Sequence, residues 1–236
     1  MITRRQADIL NRIIKEYIDT AQPVSSHLLE KKYDFGVCPA TIRNEMQKLT
    51  DKGYLLRLYT SSGRIPTDKG YRFFVDAIFD GGSDFEGDLM RELSARQENE
   101  EDEFKMMQSL TRRLASVSHS LVLNYLETDD FFWKEGWEEL LLEPEFREEK
   151  YVFNFVGFLK NFEENIEDFK NGTGIRIYIG KENKLPKSRD FSIISAPYSL
   201  QKEKEGFLAL VGPKRMEYEK NISLIDSLIK ELDNIY

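Results

Sequence analysis

The chain of 236 residues is 40% hydrophobic and 32% charged, which excludes a disordered tail and fits one or two folded domains. Its single cysteine, Cys38, excludes an internal disulfide framework and points to a reducing, cytoplasmic setting. With only His27 and His119 beside it there is no structural zinc set, and no apolar run approaches the roughly 18 residues of a membrane span.

The net charge of −8 speaks against nucleic acid when taken whole, but it is unevenly spread. Residues 1–75 hold 13 basic and 8 acidic side chains, and residues 76–236 hold 21 and 34, so a basic head precedes an acidic body. Different partners are expected for the two. The opening Met-Ile-Thr-Arg-Arg-Gln reads as a charged amphipathic segment, not a signal peptide. Ala7, Leu10, Ile14, Tyr17 and Ile18 recur at helical spacing with Ile13 beside them, and Thr3 with Gln6 makes a capping box. A second short helix is expected after Gln-Pro-Val, capped by Ser25 or Ser26, with Leu28 and Leu29 inward. Asp34 to Val37 reads as a turn, and a third helix starts near Pro39, since proline is tolerated in a first turn.

The third helix carries two faces. Ile42, Met46 and Leu49 make an apolar stripe, while Ala40, Arg43, Asn44 and Gln47 share another face at i, i+3, i+4 and i+7. Arginine pairs with guanine edges, and asparagine or glutamine with adenine edges, in a major groove. Thr41 and Lys48 flank that face and suit phosphate contacts. Tyr54 to Leu58 is a strand candidate, Thr60-Ser61-Ser62-Gly63 a polar turn, and Arg64-Ile65-Pro66 the return. Three helices and a hairpin give the order of a winged helix-turn-helix. Ser61, Ser62, Gly63 and Arg64 at the wing then suit phosphate contact or minor-groove insertion. Thr67 caps a fourth helix with Tyr71, Phe74, Val75 and Ile78 spaced for burial. A solvated polar face, or a winged helix serving protein contacts, is the plainer alternative.

The segment Pro39-Ala-Thr-Ile-Arg-Asn-Glu-Met46, then Thr60-Ser-Ser-Gly-Arg-Ile-Pro-Thr-Asp-Lys-Gly-Tyr-Arg-Phe74, closely resembles the HrcA family of heat-inducible transcription repressors. Ser62 stands where that family usually has alanine. The resemblance implies a repressor of chaperone operons that binds an inverted-repeat operator, called CIRCE, as a homodimer and depends on the GroE chaperonin. Its recognition helix would run from Pro39 to Leu49 and its wing from Tyr59 to Pro66. Arg43, Asn44 and Gln47 would read bases. Thr41, Lys48 and Arg64 would mainly hold the backbone or minor groove.

In the body, Gly81 to Gly87 reads as a hinge and residues 88–118 as a long helix marked by Leu89, Leu93, Phe104, Met107, Leu110 and Leu114. Its acidic centre, Gln97 to Glu103, reads as a solvated linker, with repulsion of DNA from the body as the alternative. Ser120 to Tyr125 is a short strand candidate. From Glu149 a helix is expected with Val152, Phe155, Val156, Leu159, Phe162, Ile166 and Phe169 on one face and Phe153 and Phe158 off it. These rings are core, with a subunit contact as the alternative for the surplus. Ile175 to Ile179, Phe191 to Ser199 and Phe207 to Val211 are strands, and a last helix carries Tyr218, Ile222, Ile225, Leu228, Ile229, Leu232 and Ile235.

The fold class is therefore α+β, divided as a winged helix-turn-helix domain over residues 1–80, a hinge and linker helix over 81–118, and a C-terminal α+β domain over 119–236. Trp137 to Phe146, Gly174 to Asn183 and Gly206 to Tyr218 also resemble HrcA segments, in the right order. By that resemblance the last domain is a reduced GAF-like one. The family's longer middle, with its dimerisation segment, is cut to about a dozen residues between Tyr125 and Trp137.

No nucleophile elbow, P-loop or metal-spaced set occurs, so neither enzyme activity nor a cofactor is expected. Gly212-Pro-Lys-Arg215 reads as a strand-to-helix turn, with anion binding as the alternative. Two other functional classes stay open: a protein-interaction module that pairs with a chaperone or a full-length repressor, and a small-molecule sensor.

Overall fold

The computed structural model describes residues 2–59, 63–80, 103–127, 131–170, 172–200 and 204–235. The expected wing tip Thr60 to Ser62, the hinge at 81–87 and the helix marks Leu89 and Leu93 lie outside them. The chain divides into two compact units, Met1–Gly82 and Ser83–Tyr236. No described helix is long and apolar enough to cross a membrane.

In the first unit α1 spans Arg4–Thr20, α2 Ser26–Lys32, α3 Pro39–Asp51 and α4 Asp68–Asp80. The Thr3–Gln6 capping box opens α1, and Ile9, Leu10, Ile13, Ile14 and Ile18 form its buried stripe. Ser25 caps α2. Only Leu29 of that helix is buried; Leu28 is exposed, contrary to expectation, because adjacent positions on a helix lie about 100° apart and one turn offers one inward place. The hairpin is shorter than the sequence implies, β1 being Leu55–Leu56 and β2 Ile65–Pro66, paired Leu55 to Pro66 and Leu56 to Ile65. An isolated antiparallel bridge from Val24 to Arg64 adds a third edge to it. Thr67 opens α4, its hydroxyl accepting from Gly70 N at 3.2 Å, and Tyr71, Phe74, Val75 and Ile78 are buried as spaced.

The second unit is a five-stranded antiparallel sheet clad on both faces. Its strands are β3 (Leu121–Leu126), β4 (Phe131–Glu135), β5 (Arg176–Ile179), β6 (Phe191–Leu200) and β7 (Lys204–Pro213), in spatial order β4-β3-β7-β6-β5. The helices are α5 (Glu103–Ser118), α6 (Trp137–Leu141), α7 (Glu149–Glu164), α8 (Glu167–Lys170) and α9 (Tyr218–Ile235). Leu121, Leu123 and Tyr125 join Phe191, Ile193, Phe207 and Val211 in one core with α6, α7 and α8. By the two-residue period of a strand, Val122, Asn124 and Leu126 face the other way. There the Asn124 Nδ2 donates to Thr111 of α5 at 3.0 Å, and Ser192 bonds the Tyr218 hydroxyl of α9 at 2.7 Å. Cover on both sides explains why every residue of β3 is buried.

Two readings differ here. Strand β4 was not legible, since Phe131 to Glu135 shows no clean alternation. On α7 the inward set is Phe155, Phe158, Leu159 and Phe162, while Val156 is 54% exposed. Phe158, expected off the face, is buried and stacks on Phe191 at 5.0 Å, because the stripe follows i, i+3, i+4, i+7 from Phe155. The apolar marks Met107, Leu110 and Leu114 of α5 are buried, with the helix against β3 and β4; residues 97–102 of the acidic centre lie outside the described residues.

Candidate nucleic-acid interface

The approach to α3 is built by short polar contacts. Asp34 accepts from Gly36 N at 2.8 Å, and Gly36 takes φ +63°, the left-handed turn a glycine allows without strain. Glu16 of α1 is 2% exposed and accepts from the Lys32 ammonium and the Tyr33 hydroxyl, fastening α1 to the end of α2. Burial pushes that carboxyl up, but the bonds from Lys32 and Tyr33 outweigh it and hold the group below its ordinary range.

Cys38 stands at the cap position before α3 with no side-chain bond capping a backbone N–H, and Pro39 follows in the first turn. A hydrogen bond with Thr41, sulfur to hydroxyl oxygen 3.3 Å, pulls the exposed Cys38 thiol below its ordinary value. Ile42, Met46 and Leu49 are buried, and α3 packs against α1 and α2. Ala40, Arg43, Asn44, Gln47 and Lys48 are exposed and Thr41 is half-buried, so the polar face stands clear of the unit's core.

Glu45 sits between these faces and is 8% exposed. Its carboxylate accepts from Gln6 Nε2 of α1 at 2.7 Å and from Lys48 Nζ at 2.7 Å. Lys52 closes the cluster by donating to Gln6 Oε1 at 3.0 Å. The bond from Lys48, then that from Gln6, holds the Glu45 carboxyl below its ordinary range. Lys48 is thus partly engaged within the protein, although its side chain is 57% exposed.

Two positions of the wing, Gly63 and Arg64, are fixed by contacts within the unit. Arg64 is only 8% exposed. Its Nε donates to Thr50 Oγ1 and its Nη2 to Gln47 Oε1, both at 3.0 Å, which ties the wing to α3. Burial, with Arg57 nearby, lowers the Arg64 guanidinium value against the opposing pull of Asp51. Gly63 is required by packing. A Cβ there would lie 2.5 Å from the backbone carbon and oxygen of Val24, where Arg64 and Val24 exchange backbone hydrogen bonds of 2.8 and 2.9 Å. Ser61 and Ser62 lie outside the described residues. Leu58 and Tyr59 are exposed on the approach to the wing.

Sequence reasoning read Gln6 only as a helix cap and passed over Glu45 and Asp51. Their signal was present as helical spacing: Glu45 lies three residues before Lys48, and Asp51 four after Gln47, which it bonds at 2.8 Å. The anion alternative at Arg215 is answered from within, because that guanidinium is paired with Glu145 at 2.6 Å and with Glu143 and its side chain is 11% exposed.

A family model described as the HrcA protein C-terminal domain matches residues 83–222, more than half of the chain. The chain belongs to the HrcA family. A heat-inducible transcription repressor HrcA of Oceanobacillus iheyensis is 28% identical over 332 aligned positions, covering 99% of this chain and 97% of that protein. The HrcA repressor of Clostridium tetani is 25% identical over 334 positions, covering 98% and 95%. With 236 residues here, such alignments pass over a long stretch of each HrcA relative that has no counterpart in this chain. A crystal structure of a protein described only as hypothetical superposes with a TM-score of 0.86 at 21% identity, covering 99% of this chain and 98% of that one, which shows the fold.

Proposed function

We propose that this chain is a sequence-specific DNA-binding repressor that docks α3 in a major groove. The observation that carries the reading is the division of α3. Ile42, Met46 and Leu49 are buried, while Ala40, Arg43, Asn44 and Gln47 are exposed together on the opposite side of a fixed helix. That leaves a guanidinium and two carboxamides where base edges are read. Thr41 and Lys48 would hold phosphates, and the wing would follow the adjacent backbone. Membership of a family of heat-inducible repressors supports the same reading.

One winged helix reads too short a site for strong specificity, so the reading includes a homodimer on an inverted repeat of the CIRCE kind, controlling chaperone operons. A chaperonin contact in the GroE manner belongs to the same proposal. The test is a mobility-shift titration of the operator against scrambled DNA. Preference for the operator by at least a hundredfold is expected, and equal affinity would refute the reading.

A protein-interaction role has one observation in its favour: Leu142 and Phe153 are 80% and 68% exposed. Sedimentation separates the two. A stable homodimer with tight operator binding argues against an obligate different partner.

A further inference from the structure

We infer that Arg64 is a positioning residue for base readout, reaching from the wing to fix the orientation of the Gln47 carboxamide so that Gln47 selects adenine. The inference rests on the DNA-binding reading above and assigns Arg64 an inward role in place of a phosphate contact.

The geometry comes from two clamps of opposite kind. Arg64 only donates hydrogen bonds, so the end of Gln47 that faces it at 3.0 Å is the oxygen. The Asp51 carboxylate only accepts, so the end that faces it at 2.8 Å is the nitrogen. Both clamps demand the same orientation, which removes the two-fold ambiguity of a free amide. Arg64 is itself held, since its Nε donates to Thr50 Oγ1 at 3.0 Å and that hydroxyl donates to the Met46 carbonyl at 2.9 Å. The anchor is therefore the backbone of α3.

A carboxamide has two N–H hydrogens and two oxygen lone pairs. Among the described residues, Gln47 spends one of each inward and keeps one of each for a ligand. One donor beside one acceptor complements the N7 acceptor and N6 donor of adenine. Guanine offers two acceptors on that edge and would set its O6 against the fixed Gln47 oxygen. An unclamped glutamine turns its amide over and loses rotamer freedom on contact, so it discriminates less.

The test is selection from random DNA, followed by titrations at several salt concentrations, with the full chain and the variants Arg64→Met, Asp51→Ala and Gln47→Ala. Wild type should prefer adenine at one position of each half-site. Each variant should reduce that preference about tenfold at that position alone. For Arg64→Met the slope of log affinity against log salt should stay at the wild-type value. If Arg64→Met instead weakens all sequences alike and lowers the slope by about 0.9, Arg64 holds a phosphate and the inference is overturned. An unchanged adenine preference overturns it too. Asp51 is exposed, so Asp51→Ala decides the matter if Arg64→Met does not fold. A wild type that binds with no sequence preference overturns the underlying reading, and that result needs no variant.

Discussion

Replacing Glu45 by alanine tests whether the buried strut between α1 and α3 holds the reading helix in place. The substitution strands the Gln6 Nε2 donor, which now has its partner at 2.7 Å and belongs to a residue only 3% exposed. An orphaned buried donor costs about 1–3 kcal/mol. The lost pair with Lys48 adds at most about 1 kcal/mol, because that lysine is 57% exposed and water replaces its partner. Lys52 still bonds Gln6 Oε1, so the net loss is about 2 kcal/mol.

Trp133 and Trp137 both lie in the second unit, so tryptophan fluorescence would follow the wrong part of the chain. Hydrogen exchange of the α3 amides is the suitable assay, and about 2 kcal/mol speeds it about 30-fold. Glu45→Gln keeps an acceptor for Gln6 and should recover most of the protection. The pH dependence follows from the sign of the shift. The folded carboxyl sits below its ordinary value of 4.5, so its contribution is full at neutral pH and is lost as pH falls through the folded value. The gap between wild type and Glu45→Ala should therefore narrow in acid by the part that needs the charge, the pair with Lys48, while a protonated Glu45, like Glu45→Gln, still offers Gln6 an oxygen. Exchange in Glu45→Ala within twofold of wild type at pH 7 would refute the strut.

Four further outcomes are expected. Arg43→Ala should weaken operator binding by about 1–3 kcal/mol and relax specificity, read by titration against single-base operator variants. Phe158→Ala should cost about 3–5 kcal/mol in urea unfolding followed by tryptophan fluorescence, because the ring is fully buried and stacked on Phe191. Gly63→Ala should lower the first unit's melting temperature in calorimetry, since the new methyl meets Val24 backbone at 2.5 Å and no side chain is there to yield. Asn124→Leu should destabilise the second unit by about 2 kcal/mol in the same urea assay, because it removes two buried hydrogen bonds, to Thr111 at 3.0 Å and from the Tyr198 hydroxyl at 2.6 Å.

Much of the fold was legible along the chain. The Thr3–Gln6 box, the Ser25 cap, Pro39 at the start of α3 and the stripe Ile42, Met46, Leu49 are local signals, decided within one helical turn or repeated at one period. The same holds for β5 after Gly174 and for the buried run Phe207 to Val211 of β7, although that strand continues through Gly212 and Pro213 instead of stopping there. Strand β4 was not legible. It is an edge strand paired with β3 alone, half-covered, and its run Phe-Phe-Trp-Lys-Glu carries no period to read. The inward positions of α7 were misjudged at Val156 and Phe158, because a run so rich in apolar residues leaves the choice of face to the sheet it meets.

The sequence by itself determined a basic head with a two-faced third helix and an acidic α+β body, because composition and periodicity are properties of the chain. It also placed Arg43, Asn44 and Gln47 on one face, since helical geometry fixes that spacing. Only the tertiary structure decided what Arg64, Glu45 and Gln6 do. An arginine beside a wing and a glutamate on a helix read as surface charges until their neighbours are known. Gln6 and Glu45 lie 39 positions apart, Arg64 and Gln47 lie 17 apart, and each pair bonds only after α1, α3 and the wing have packed. Burial then turns a charge that would have faced solvent into a fastening for the face that stays outside.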